Sequence, residues 1–236
     1  KNIVNAILHK DVKTLVYVSS VAALGRQENK IVDEETPFED GIGETAYSRS
    51  KYLAELEVWR GQEEGLSVAV VNPSIIIGAG DFTRSSAELF PQIHAGLSFY
   101  PTGSSGYVSS SDVAKACVLL ADKNVRGERV LLNSENRSYK SLMCEIAIAL
   151  NVKPPFRAVK PWMSSFAWRA FWLIEKLTGK RALATKSSLK MSRSMIVYDG
   201  SKIERVLALE GVKWEYEPVN KAISRTAESY LASISS

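Results

Sequence analysis

Residues 66–71 (LSVAVV) form a near-continuous apolar run of strand length, opened after Gly65 and closed by Asn72-Pro73. A strand that is apolar at successive positions has to be covered on both faces, which is the condition of a parallel strand inside an α/β sheet. The preceding segments agree. Thr14-Leu15-Val16-Tyr17-Val18 is β-like and ends in Ser19-Ser20, and residues 45–64 carry helical spacing. Strand, helix, strand predicts a right-handed βαβ crossover. Residues 127–133 (GERVLLN) add another strand. Further helices are expected at residues 1–10, 84–95, 110–122 and 138–150, and residues 25–43 read as a polar, turn-rich surface loop.

From Asn151 onward the pattern changes to Pro-containing connectors and helices, at residues 161–178, 184–191, 200–209 and 218–233. The most apolar of these, residues 162–177 (WMSSFAWRAFWLIEKL), carries Arg169, Glu175 and Lys176. It is shorter than the roughly 20 residues a membrane-spanning helix needs. A helix packed on the other lobe is expected there, with an apolar substrate wall as its second use.

A chain of 236 residues, 45% hydrophobic and 24% charged, is large enough for one sizeable core and a smaller lobe. Its net charge of +4 comes from scattered Lys and Arg, with no basic run interleaved with aromatics, so nucleic acid is not an expected partner. Cys117 and Cys144 sit in helix-like apolar surroundings and the only histidines are His9 and His94, so no metal-ligand spacing can be assembled. Small buried thiols fit a reducing, cytoplasmic setting.

Chemistry concentrates in Ala46-Tyr47-Ser48-Arg49-Ser50-Lys51. One helical turn separates Tyr47 from Lys51, so a phenol and an ammonium project from one face about 5–6 Å apart at Cβ. The strand ending in Ser19-Ser20 can present a hydroxyl to both. Such a trio is a proton-transfer centre for a carbonyl or an alcohol, because an adjacent cation favours the phenolate form that a tyrosine otherwise reaches only in alkali. The same spacing recurs at Tyr198 and Lys202. There the tyrosine ends a β-like stretch and Asp199-Gly200-Ser201 reads as a turn, so Tyr198 is expected to be structural.

Four segments in order carry a family resemblance: Val16-Tyr17-Val18-Ser19-Ser20 with Gly25, Tyr47 with Lys51, Val71-Asn72-Pro73 with Gly78-Ala79-Gly80-Asp81, and residues 107–114 (YVSSSDVA). The chain resembles the extended short-chain dehydrogenase/reductase superfamily, its NAD-dependent epimerase/dehydratase group. Within it the chain is most similar to the dihydroflavonol-reductase-like and hydroxysteroid-dehydrogenase-like branch. The resemblance implies an α/β fold, the C-terminal portion of a Rossmann-type doubly wound parallel sheet with a small, mostly helical substrate lobe. Residues 1–150 would be the second half of the NAD(P)-binding domain, with a substrate-loop insertion at about 74–110, and residues 151–236 the substrate lobe.

Carried over residue by residue, the resemblance implies that Ser20 orients the substrate oxygen, Tyr47 is the general acid or base, and Lys51 holds the nicotinamide ribose. Ser19 would lie beside the nicotinamide, and Pro73, Ser74, Ile75 and Ile76 would pack against its carboxamide. Asn72, at the pocket mouth, and Arg84 would be substrate contacts. The cofactor would be NAD or NADP, and the substrate a small molecule, either an apolar carbonyl compound or a nucleotide sugar. A homodimer through the motif helix is a further analogy.

One family element is absent. No Gly precedes Gly25, so the Gly-rich phosphate loop after the first strand has no counterpart, nor does the acidic residue that selects the adenosine ribose. The expectation is that Lys1 falls in the helix before the fifth strand and that a separate N-terminal segment completes the sheet. Among activities, the apolar Val21-Ala22 after the strand-end serine argues against dehydration, and the aromatic-rich segment 162–172 favours an apolar carbonyl substrate. The alternatives are a nucleoside-diphosphate-sugar epimerase and a non-catalytic NAD(P)-sensing or scaffold protein.

Overall fold

The computed structural model describes residues 1–10, 12–25, 30–39, 45–159 and 193–235. Its centre is a parallel sheet of β1 (Thr14–Val18), β3 (Ser67–Pro73) and β7 (Glu128–Leu132), in the order β1-β3-β7. Val18 pairs with Val71, and Val71 in turn with Val130. Every residue of β3 is buried. The reason is visible in its alternation: Val68 and Val70 join a cluster with Val4 and Val58, whereas Ala69 and Val71 join one with Val113, Ala116 and Leu120. Successive side chains of a strand point to opposite faces, so a strand sandwiched between helices has to be apolar at both sets of positions.

The first cluster lies under α1 (Asn2–His9) and α2 (Ala46–Glu63). The second lies under α4 (Ser110–Asp122) and α6 (Lys202–Leu209). The sheet is therefore doubly wound. A second core gathers α3 (Leu89–His94), α5 (Tyr139–Ala149) and α7 (Val219–Ser235) around Phe90, Ile93, Tyr107, Leu142 and Ile146. It rests on a small mixed sheet of β4 (Ile75–Ile77), β6 (Ser104–Ser109) and β8 (Glu135–Ser138). A two-stranded pair, β5 (Phe99–Tyr100) with β9 (Arg157–Ala158), flanks it.

Three expectations change in detail. The helix expected over residues 84–95 is a 3-10 turn, Ser85–Glu88, followed by α3. Pro91, which has no N–H to donate, sits in the first turn of α3, the position a proline tolerates. The loop expected over residues 25–43 contains β2 (Ile31–Val32), which pairs in parallel with β10 (Val197–Tyr198), so Val32 is buried. The division drawn at residue 150 is not a spatial one: α6 packs on the central sheet and α7 on α5. The helices expected over residues 161–178 and 184–191 lie outside the described residues.

Candidate active site

The first turn of α2 is set by a reciprocal cap. Thr45 Oγ1 accepts from the Ser48 N–H at 3.0 Å and Ser48 Oγ accepts from the Thr45 N–H at 2.8 Å, satisfying two donors a helix start leaves open. Tyr47 is therefore the second residue of a fixed turn. Its side chain is 57% exposed and faces a cleft of about 350 Å³. Lys51, one turn on, brings Nζ to 6.0 Å from the centroid of the Tyr47 ring but does not line the cleft. The Tyr198 and Lys202 pair is not equivalent. Tyr198 is buried in β10, whereas Lys202 starts α6 and pairs with Glu128 at 2.9 Å.

The cleft opens at the carboxyl ends of β1 and β3. Ser19, Ser20, Tyr47, Pro73, Ser74, Ile75 and Ile76, all expected site residues, line it together. Ser20 caps the 3-10 turn Val21–Ala23, and its Oγ accepts from the Ala22 N–H at 3.1 Å. Among the described residues its hydroxyl proton has no acceptor, so it can be donated to an oxygen in the cleft. Gly25 follows this turn. A Cβ there would stand 1.7 Å from the Pro37 carbonyl oxygen, so only glycine lets the two segments meet.

Two expected contacts are placed elsewhere. Asn72 is fully buried beneath the cleft rather than at its mouth. Its Nδ2 donates to the Ser20 carbonyl at 2.9 Å and to Glu55 Oε2 at 3.0 Å. Both amide hydrogens are thereby used, and the reversed amide would face two acceptors with an oxygen. Arg84 is 77% exposed in side chain, pairs with Asp81, and borders a separate recess at Gly78-Ala79-Gly80.

Sequence reasoning missed what lies under the serines. Glu55, 1% exposed, accepts from the Ser19 hydroxyl at 2.7 Å and meets the Arg129 guanidinium in an ion pair at 2.5 Å. Arg129 also donates to the Glu34 carbonyl at 3.2 Å and lies 5.7 Å from the Trp59 ring. Burial, with the Glu55 carboxylate and Tyr47 adding to it, pushes the nearby Tyr17 phenol up from its ordinary value. The signal was present in the spacing, since Glu55 continues the four-residue step of Tyr47 and Lys51. Val21 and Ala22 line it beside Ser20, and Ser85, Ser86, Ser105, Tyr139, Ile196 and Tyr198 are brought in from distant segments. Among the described residues, no charged side chain lines the cleft.

These uncharged walls suit the uncharged ring of a reduced nicotinamide, and residues 73–76 border them. Residues 1–132 match the profile of the NAD dependent epimerase/dehydratase family. Over 219 residues the chain is 28% identical to the protein named "Putative dihydroflavonol 4-reductase" of Synechocystis sp., a match covering 89% of this chain and 63% of that protein. The chain thus spans less than two thirds of that curated relative. The crystal structure of gox2253 superposes with a TM-score of 0.79 at 27% identity, covering 98% of this chain and 70% of the other. UDP-glucose-4-epimerase from Stenotrophomonas maltophila, solved with bound NAD and formylated UDP-arabinopyranose, gives 0.70 at 21% identity, with 99% and 67% covered.

Proposed function

The chain belongs to the NAD dependent epimerase/dehydratase family, and from that premise we propose that it serves an NAD(P)-dependent oxidoreductase acting on an uncharged carbonyl or alcohol. The observation that carries this reading is the single cleft that holds Ser20 and Tyr47 with the Lys51 ammonium beside the Tyr47 ring and no charged side chain in its lining among the described residues. Among the described residues, the lining itself offers a diphosphate no cation.

Ser20 donates its hydroxyl proton to the substrate oxygen, holding it at the strand end. Tyr47 passes a proton to that oxygen during reduction or removes it during oxidation. The Lys51 ammonium stands beside the Tyr47 ring as a fixed cation next to the group that moves the proton. Ser19 and residues 73–76 hold the nicotinamide end of NAD or NADP. That cofactor, when bound, supplies or accepts the hydride at the substrate carbon. A homodimer and an N-terminal segment that holds the remainder of the cofactor complete the proposal.

The test follows loss of reduced nicotinamide with 1-phenyl-1,2-propanedione, an uncharged diketone, and separately the interconversion of UDP-glucose. Reduction of the diketone is expected, and Tyr47→Phe lowers kcat by at least about a hundredfold with unchanged melting. Full turnover in Tyr47→Phe refutes the assignment of the acid. Interconversion of UDP-glucose without diketone reduction moves the reading to an epimerase. NADPH binding with neither activity moves it to a sensing role.

A further inference from the structure

The buried carboxylate beneath the serines belongs to no step above, yet both hydrogen bonds it accepts come from residues of the strand ends, Ser19 and Asn72. Eight residues separate Glu55 from Tyr47, about 12 Å along α2, which brings the carboxylate under the sheet edge instead of into the cleft. Two donors converge on Oε2, the Ser19 hydroxyl and Asn72 Nδ2, and the Arg129 guanidinium forms an ion pair at Oε1. Asn72 spends its second hydrogen on the Ser20 carbonyl. The Ser19 N–H continues the ladder to the Val71 carbonyl at 2.7 Å. The two residues where β1 ends are thus held at three points, two of which depend on this one carboxylate.

We propose that Glu55 is a positioning residue for the oxidoreductase reaction: its carboxylate, by accepting from Ser19 and orienting Asn72, fixes the backbone of Ser19-Ser20 so that the Ser20 hydroxyl stands against Tyr47. The inference rests on the functional reading given above. A carboxylate suits the site because one oxygen accepts from Ser19 and Asn72, the other faces the Arg129 guanidinium, and neither donates. Glutamine of the same size cannot replace it. With its oxygen toward Ser19 and Asn72, its amide nitrogen faces Arg129, and in the reversed orientation it faces two donors. Aspartate keeps the charge and its cationic partner but withdraws both oxygens by one methylene. Burial of the ion pair is tolerated because each charge has a partner, and such pairs serve geometry better than they serve stability.

The experiment compares Glu55→Gln, Glu55→Asp and Leu142→Ala, the last a destabilising change in the core around α5, remote from this network. Diketone reduction is measured below the melting temperature of each variant, together with the dissociation constant for NADPH by its fluorescence. Misplacing a reacting group by less than about 1 Å can cost up to a hundredfold. Both Glu55 variants are therefore expected to lose at least about tenfold in kcat, with KM and NADPH affinity within about twofold, while Leu142→Ala keeps its kcat. If Glu55→Gln does not fold, Glu55→Asp decides, since its charge remains paired.

A kcat within about twofold of wild type in a folded Glu55 variant overturns the proposal. So does a loss confined to KM, or one matched by Leu142→Ala, either of which assigns the carboxylate to the fold alone. Wild-type turnover in Tyr47→Phe would instead strike the functional reading. Loss in Tyr47→Phe with retention in both Glu55 variants strikes only the positioning role.

Discussion

Replacing Asn72 by leucine isolates the one amide that joins the two strand ends. Nδ2 donates to the Ser20 carbonyl and to Glu55, whereas Oδ1 has no partner among the described residues. Leucine has a similar volume, so the change is mainly one of hydrogen bonding. The neutral bond contributes about 1 kcal/mol and the bond to a carboxylate about 1.5–3 kcal/mol, while removing the orphaned oxygen returns about 1 kcal/mol. The net loss is about 1.5–3 kcal/mol. In a chain of this size each kcal/mol moves Tm by about 2–4 °C, so Tm should fall by about 3–12 °C. Calorimetry measures it, with agreement of calorimetric and van't Hoff enthalpies showing one cooperative transition. A fall below about 2 °C would refute the reasoning, because the Ser20 carbonyl and Glu55 would then be held by other partners.

Glu34 provides a pH test. Burial raises its carboxyl above the ordinary carboxylate value, although the Leu131 N–H, donating at 2.7 Å, and the Lys202 charge oppose the shift. The unfolded chain therefore loses this proton at lower pH than the folded one, and stability falls as pH rises from the ordinary glutamate value through the raised one. Glu34→Gln, which can still accept from Leu131, should flatten that slope in urea midpoints taken across this range, and an unchanged slope would assign it to another group such as Asp112, also raised chiefly by burial. Gly25→Ala should cost about 1–3 kcal/mol at unchanged m-value, because the Pro37 carbonyl has to move; a midpoint equal to wild type would show that the loop yields freely. Arg84→Ala, at an exposed ion pair outside the cleft, should leave diketone turnover within about twofold and stability within about 0.5 kcal/mol. A large rise in KM there would restore Arg84 as a substrate contact.

The main sheet was legible because its elements are long and each obeys one period. Residues 68–71 are apolar on both alternations, and α4 spans Ser110–Asp122 as its apolar face indicates, with Ser109 as its cap. β2 escaped reading because it is short and paired across a long separation. β2 and β10 have two residues each and pair 166 positions apart, Ile31 with Val197 and Val32 with Tyr198. Two residues carry no period, so nothing local distinguishes Ile31–Val32 from the loop around it. Ile31 stays exposed, and Val32 is buried by Tyr198 of the partner strand with Val21, Leu24 and Leu131.

The site divides along the same line. Tyr47, Lys51 and Ser20 could be named because each role needs a particular functional group at a particular element end, and a helix turn or a strand end is a local property. Asn72 could be named but not placed. An asparagine before proline at a strand end suits a cleft mouth as well as a buried cross-link, and the choice depends on whether an acceptor pair lies behind it. That pair, the Ser20 carbonyl and Glu55, exists only once β1, β3 and α2 are assembled. Arg129 makes the point from the other side. As an isolated residue of β7 it reads as a surface cation, yet its guanidinium pairs with the buried Glu55, whose other oxygen accepts from both Ser19 and Asn72. The reacting groups are set by local sequence, while the geometry in which they react is set by a buried cluster of residues 19, 55, 72 and 129 that meets only in the folded chain.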